Sequence, residues 1–385
     1  MVNELLLQMI GSAVNCDFVP TASVSDASED QLKQLFRLAK RHDLAHIAGF
    51  AMQNAGQIPQ GEIGDQFQMA MMQAIYRCAR QEQELESISR LFEAEKIPFI
   101  PLKGAIIRKW YPENWLRTGC DVDILVHHCD VERAVEMLQS RLRYTYCTTS
   151  PHDVALDSPS GVHLELHFDL VDESVSKEQR ALLEDVWETA IPETGWTYRM
   201  AMESRRFYFY NIAHFAKHFS GSGCGIRPFV DVWVMNHVAG YSSDMCGELL
   251  EQGELLTFAK AAERMADAWF SGGEKDALLL QIEAYILDNS VHGSLDNVVL
   301  ANRARHGSEF KALMAKIFLR YDAIKEYYPI LKKHKWLLPF VEVYRWFRLL
   351  FGGSAGRVAH MVKENAAISE DEAAQIGNML HQLGL

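Results

Sequence analysis

Two carboxylates alternate with apolar residues in the segment 121–126, DVDILV. Successive side chains of a strand point to opposite faces, so this pattern predicts Asp121 and Asp123 on one face, with Val122 and Ile124 between and beyond them on the other. Two negative charges held this close need a cation, and Mg²⁺ binds both carboxylate and phosphate oxygens in phosphoryl and nucleotidyl transfer. An isolated Asp-x-Asp is also typical of a solvated strand end or a turn.

The segment upstream of the two acids predicts a place for a phosphate. Residues 97–102 form a short apolar run typical of a buried strand, and Gly104 follows where the chain turns into the helical pattern AIIRKWY. Glycine permits close approach of a ligand to the backbone, and amides at the start of a helix bind anions.

These residues resemble the bacterial uncharacterised nucleotidyltransferases of the DNA polymerase β-like superfamily. The resemblance covers roughly residues 75–240. Its motifs here are Leu102-Lys103-Gly104, Tyr111-Pro112, Leu116-Arg117, Asp121-Val122-Asp123, Leu125-Val126, the strand HLELHF at 163–168 and the helical segment His214 to Trp233.

The resemblance implies transfer of a nucleoside monophosphate from an NTP, such as ATP, with Mg²⁺ or Mn²⁺ as cofactor. It implies that Asp121, Asp123 and Glu165 are the catalytic and metal-binding residues. The chain departs from the superfamily at Ala105, where Ser or Gly usually follows the corner glycine, so one side-chain contact to the triphosphate is missing. The implied nucleotide-binding residues are Lys103, Gly104, Ala105, Arg117 and His167.

The third acid belongs to a strand with a polar and an apolar face. With a period of two, His163, Glu165, His167 and Asp169 share one face. The resemblance places the third acid at Glu165, and Asp169 lies about 13 Å along the strand from it at about 3.3 Å per residue. An ordinary solvated sheet face remains the alternative. The imidazole at 167 is equally suited to a metal, a phosphate or a structural hydrogen bond.

The cations near the predicted site have two interpretations. Lys103 and Arg117 are suited to stabilise a pyrophosphate leaving group, and either is equally suited to a structural ion pair. Arg227 and Asp231, four residues apart in a helical pattern, predict an intrahelical pair.

The composition favours a cytoplasmic enzyme that acts on small molecules. The 385 residues carry a net charge of −13, which argues against a general nucleic-acid partner. A small-molecule acceptor, such as an aminoglycoside-like sugar or a cell-surface precursor, fits this charge, and protein side chains stay open as acceptors. Seven scattered cysteines without a CxxC pair indicate reduced thiols.

We expect no membrane partner, because no apolar run approaches the length of a membrane span. An apolar cluster of Trp, Phe and Leu at 346–351, interleaved with Arg345 and Arg348, favours a buried helix over one that touches a membrane surface.

The predicted fold class is α+β, a small mixed β-sheet nucleotidyltransferase core embedded in a mostly helical protein. We predict a helical N-terminal region at 1–95, the sheet core at 96–175 and a helical C-terminal region at 176–385. One alternative is a catalytically inactive nucleotide- or partner-binding module of the same fold. A second is a phosphohydrolase, in which His163 and His167 would converge on one transition metal.

Overall fold

The computed structural model describes residues 2–18, 20, 24–171, 175–184, 186–221, 223–287, 321, 324–325, 328, 330–351 and 369–385. The chain divides into two compact units. The first comprises Met1–Phe215 and Ile226–Glu283, and the second comprises Ala216–Gly225 and Ala284–Leu385.

Helices precede the sheet in the first unit. The first turn of α2 has a capping box, in which Ser28 accepts from the amide of Gln31 and the side chain of Gln31 accepts from the amide of Ser28. The long helix α4 is followed at once by the first strand. The helices before the sheet are α1 Val2–Val14, α2 Glu29–Arg41, α3 Ala45–Asn54 and α4 Glu62–Ala94. Between the strands of the sheet lie α5 Gly104–Ile107 and α6 Val131–Leu142.

A five-stranded mixed sheet forms the centre of the first unit, with the strand order β1-β2-β5-β4-β3. β2 pairs in parallel with β5, and the other neighbours pair antiparallel. The strands are β1 Phe99–Pro101, β2 Asp121–Val126, β3 Thr145–Thr149, β4 Asp153–Asp157 and β5 His163–His167.

The two faces of this sheet differ in polarity. The back face packs its alternate apolar residues, among them Ile124, Leu164 and Leu156, against α4 and α6. Burial of each such side chain contributes about 1.5–3 kcal/mol. The front face carries the intervening polar residues, so one side of the sheet builds the core and the other can build a site.

Helix α4 also fastens the loops around the sheet. Its Gln81 donates to the carbonyl oxygens of Gly119 and Asp121. Glu84 accepts from the hydroxyl of Tyr144, and Glu93 accepts from backbone amides that include Tyr198.

The remaining elements of the first unit are a two-stranded sheet and further helices. Their bounds are α7 Lys177–Glu184, α8 Val186–Thr189, β6 Ile191–Pro192, β7 Met200–Ala201, α9 Ser204–Gly221, α10 Arg227–His237, α11 Gly247–Gln252, α12 Leu256–Phe270 and α13 Ala277–Leu287, with α9 and α13 each ending in the second unit.

The described part of the second unit includes further helices at Ile330–Lys333, Leu338–Phe351 and Glu370–Gln382, and a 3-10 turn at Lys335–Leu337. Among the residues that the structure describes, none of the helices combines the length and the apolar character needed to cross a bilayer. The predicted α+β class is confirmed. The predicted domain boundaries at 95 and 175 stay a prediction.

Candidate active site

The parallel register of β2 and β5 brings the three predicted acids to one face. Asp123 pairs with Glu165, and Asp121 pairs with His163. Paired residues of neighbouring strands point to the same side of a sheet. Asp121, Asp123 and Glu165 therefore share the front face, where β4 adds Asp153 opposite His167.

Asp123 is the buried centre of this group. Its Oδ1 lies 2.9 Å from Nε2 of His167 and 2.9 Å from Nζ of Lys103. Burial raises the pKa of Asp123, but these two donors outweigh it and hold the pKa well below its ordinary value. Asp123 is thus held as a carboxylate in a site that water barely reaches.

His167 joins two of the acids through one nitrogen. Its Nε2 also lies 3.4 Å from Oε2 of Glu165. Burial lowers the pKa of His167, yet the hydrogen bonds that the ring donates to Asp123 and Glu165 raise this pKa above the ordinary value. The ring therefore favours the form in which Nε2 carries a proton, and this N–H donates a hydrogen bond to the acids.

The negative charge around Asp121 is only partly compensated by Lys103 and Arg117. Burial is the largest cause that raises the pKa of Asp121, and the negative charges of Asp123 and Glu165 raise this pKa further. Two like charges this close disfavour ionisation unless a cation joins them. The side chain of Glu165 is 31% exposed, whereas that of Asp123 is 6% exposed.

The carboxylates fit a divalent cation. Asp123 and Glu165 each offer an oxygen within 4.8 Å of the other, and Asp121 adds a carboxylate on the same face. Carboxylate oxygens are the ligands that Mg²⁺ and Mn²⁺ prefer. The charge imbalance at Asp121 points the same way.

The alternative in which His163 and His167 share one metal finds no support in this geometry. Within the described ranges, the groups that could hold an ion place the two histidines apart. His163 lies with Cys147 and Asp157, and the second group of His167 is with His152 and Asp153.

Arg117 is held by a partner that the sequence pattern did not indicate. Its Nε lies 3.1 Å from Oδ1 of Asp231, and its Nη2 lies 2.9 Å from Oδ2. The hydroxyl of Tyr111 donates to Oδ1 of the same carboxylate at 2.8 Å. Asp231 thus pairs with Arg117, and Nη1 of Arg227 lies 3.4 Å from Asp43. The role of Arg117 in nucleotide binding stays a prediction.

Gly104 lies close to this arginine. A Cβ at Gly104 would meet Nη1 of Arg117 at 3.0 Å, which is too tight without a shift. The amides of Ala105 and Ile106 donate to the carbonyls of Leu102 and Lys103. The close approach that the glycine permits here is to a guanidinium, and nucleotide contacts of Gly104 and Ala105 stay predictions.

A cavity of about 170 Å³ opens beside Asp121. Ala105, Lys109 and Arg108 line it together with acidic residues of α4, among them Glu82. The cavity gives Asp121 a neighbouring space of mixed charge.

Comparison with known proteins adds the family. Residues 28–271 match a family described as uncharacterised nucleotidyltransferase. The chain belongs to this family. No match is found among curated proteins or among solved structures. Membership supports a general nucleotidyl-transfer function and classes the protein as a transferase.

Three residues around the candidate site were not singled out from sequence. Gln81 anchors the backbone of Asp121, Tyr210 lies fully buried beside Lys103 and Asp123, and Arg108 donates to the carbonyl of Gly104. A signal exists only for Arg108, since a cation within the apolar pattern AIIRKWY needs buried acceptors.

Proposed function

We propose that this nucleotidyltransferase transfers a nucleoside monophosphate from an NTP, such as ATP, to a small-molecule acceptor in a reaction that depends on Mg²⁺ or Mn²⁺. The observation that carries the proposal is the register that pairs Asp123 with Glu165 and keeps Asp121 on the same face. We also propose, from the motifs and the sheet, that the family shares the polymerase β-like fold.

Asp121, Asp123 and Glu165 are the residues that would hold the cation. When bound, it would neutralise charge on the triphosphate and on the acids. The other contributions belong to the chain. His167 orients Asp123 by donating to Oδ1, and Lys103 balances the charge of that carboxylate.

The transfer itself requires an acceptor hydroxyl to attack the α-phosphorus. The new oxygen–phosphorus bond forms as the bond to the bridging oxygen breaks, and pyrophosphate leaves. Glu165, which is more exposed than Asp123, takes the hydroxyl proton. Lys103, whose Nζ lies 2.9 Å from Oδ1 of Asp123, stabilises the leaving charge.

The test is pyrophosphate release from each NTP in the presence of Mg²⁺ and a panel of amino sugars and cell-surface precursors. We expect Asp123→Asn and Glu165→Gln to lower the rate about 1,000-fold, which corresponds to about 4 kcal/mol of lost transition-state stabilisation. Asp157→Asn is the matched control, because it lies on the same sheet yet contacts His163. An unchanged rate in Asp123→Asn would remove the assignment.

A second candidate is a nucleotide- or partner-binding module without turnover. This candidate is favoured because Oδ1 of Asp123 already accepts hydrogen bonds from Lys103 and His167 and so needs no cation as a partner. Calorimetry with Mg²⁺ and each NTP separates the two candidates, since binding without pyrophosphate release favours the module.

A further inference from the structure

The helix Leu338–Phe351 turns its apolar side chains outwards. Phe340, Val343, Tyr344 and Phe347 are 66%, 46%, 58% and 60% exposed. At about 100° per residue, these four positions fall within an arc of about 100°. Trp336, in the turn before the helix, is 69% exposed. These five residues are named the aromatic face.

The same helix turns an ion pair inwards. Nη2 of Arg345 lies 2.7 Å from Oε2 of Glu342, and the two side chains are only 12% and 10% exposed. A helix on the surface of a globular protein normally shows the reverse arrangement, with charge towards water and apolar residues towards the core. The expectation of a buried helix is therefore wrong at Phe347. The exposed apolar side needs another explanation.

The segment that carries the aromatic face is rich in positive charge. Residues 330–351 contain five Lys or Arg and a single acid, Glu342, which gives a local net charge of +4 in a chain of net charge −13. Lys333, Lys335 and Arg348 are exposed. The segment thus has the opposite charge to the rest of the protein.

These two properties together select one kind of partner. A second copy would bring the same positive residues against each other in a symmetric contact. A purely apolar protein partner would not complement the exposed positive charges of Lys333 and Arg348. An anionic bilayer satisfies both, since aromatic rings settle at the headgroup level and Lys and Arg bind acidic lipids.

We propose that the aromatic face binds the surface of an anionic lipid bilayer, with the helix lying in the plane of the interface. The contact is peripheral and needs no membrane span. This inference does not depend on the nucleotidyl-transfer proposal.

The test is co-sedimentation of the full chain with vesicles of phosphatidylcholine, alone or mixed with phosphatidylglycerol. We expect binding to the mixed vesicles only, and its loss at high salt. Replacing Lys332, Lys333 and Lys335 by Gln should weaken partitioning about 100-fold, at about fivefold per cation. Phe340→Ser combined with Tyr344→Ser should abolish it.

The matched control is Met69→Ser combined with Met72→Ser, which removes another exposed apolar pair, on α4. This control should bind vesicles as the parent does. Circular dichroism checks that each variant folds, and the lysine variant tests the proposal without touching the aromatic residues.

Three results would overturn the proposal. One is the absence of binding to mixed vesicles. Another is binding that the lysine variant leaves unchanged. The third is self-association, measured by analytical ultracentrifugation without lipid, that the Phe340 and Tyr344 changes abolish, because a second copy would then be the occupant.

Discussion

Lys103 places its ammonium nitrogen 2.9 Å from Oδ1 of Asp123, and the backbone φ of this lysine is 43°. Positive φ is uncommon outside glycine and persists where surrounding contacts hold it. Burial lowers the pKa of Lys103, but the charge of Asp123 raises it above its ordinary value. A divalent cation bound at Asp123 would therefore compete with the lysine for this carboxylate.

Lys103→Met should destabilise the metal-free protein by about 3 kcal/mol, because Asp123 loses a buried counter-ion. Mg²⁺ should restore more stability to this variant than to the parent, since its competitor is gone. The measurement is urea unfolding with EDTA and with Mg²⁺. Lys109→Met, an exposed lysine nearby, should change neither value. Equal Mg²⁺ effects in variant and parent would contradict the competition.

The Arg117–Asp231 pair should show a graded response. Arg117→Met leaves Asp231 buried without its main counter-ion and should cost about 3–5 kcal/mol. Arg117→Lys keeps the charge, loses the two-point contact and should cost less than Arg117→Met. Tyr111→Phe removes one hydrogen bond, at about 1 kcal/mol. The free energy of unfolding measures all three, and a different order would show that the pair is not the main contact.

His46 should make stability depend on acidity. Burial lowers its pKa to about 4 from the ordinary 6.5, and its Nε2 lies 2.8 Å from the carbonyl of Leu116. The unfolded chain binds the proton first as pH falls, so stability declines between pH 6.5 and pH 4 by up to about 3 kcal/mol.

His46→Gln keeps a donor but does not titrate, so its stability should vary less with pH across this window. Urea unfolding along a pH series measures the difference. His237→Gln, at an exposed histidine paired with Asp267, is the control. Its stability should vary with pH across this window as the parent's does, because His46 is still present. A parent-like slope in His46→Gln would exclude this histidine as the source.

Gly104→Ala should cost about 1 kcal/mol or more, because the new Cβ presses on Nη1 of Arg117. That nitrogen also donates to the carbonyl of Thr118, which limits how far it can move. Gly247→Ala, where a Cβ meets nothing within 4 Å, should be neutral or stabilising. The cost of Gly104→Ala should shrink in an Arg117→Lys background, and thermal unfolding of the four proteins measures this.

The local part of the fold was accessible from the sequence. A period of two in DVDILV and HLELH correctly separates Asp123 and Glu165 from Ile124 and Leu166, because alternation is a property of each strand alone. The parallel pairing of β2 with β5, which sets Asp123 beside Glu165, depends on the course of the chain between them.

The long-range contacts were not accessible in the same way. Arg117 and Asp231 are 114 residues apart, and spacing along the chain pointed to Arg227 as the partner of Asp231. The apolar cluster at 346–351 likewise favoured a buried helix, yet Phe347 is exposed, since the side that faces outwards depends on what packs against the helix.

The polar residues of α4 fix the positions of the loops that they bind relative to one another. Gln81, Glu84 and Glu93 bind their partners along one continuous helix. The rise of the helix between these residues therefore sets the distance between the loops that they bind. Inserting one residue after Gln81 would advance the remainder by about 1.5 Å and rotate it by about 100°. Glu84 and Glu93 would then point away from their partners, so the count of residues in this helix constrains the site as firmly as their identity.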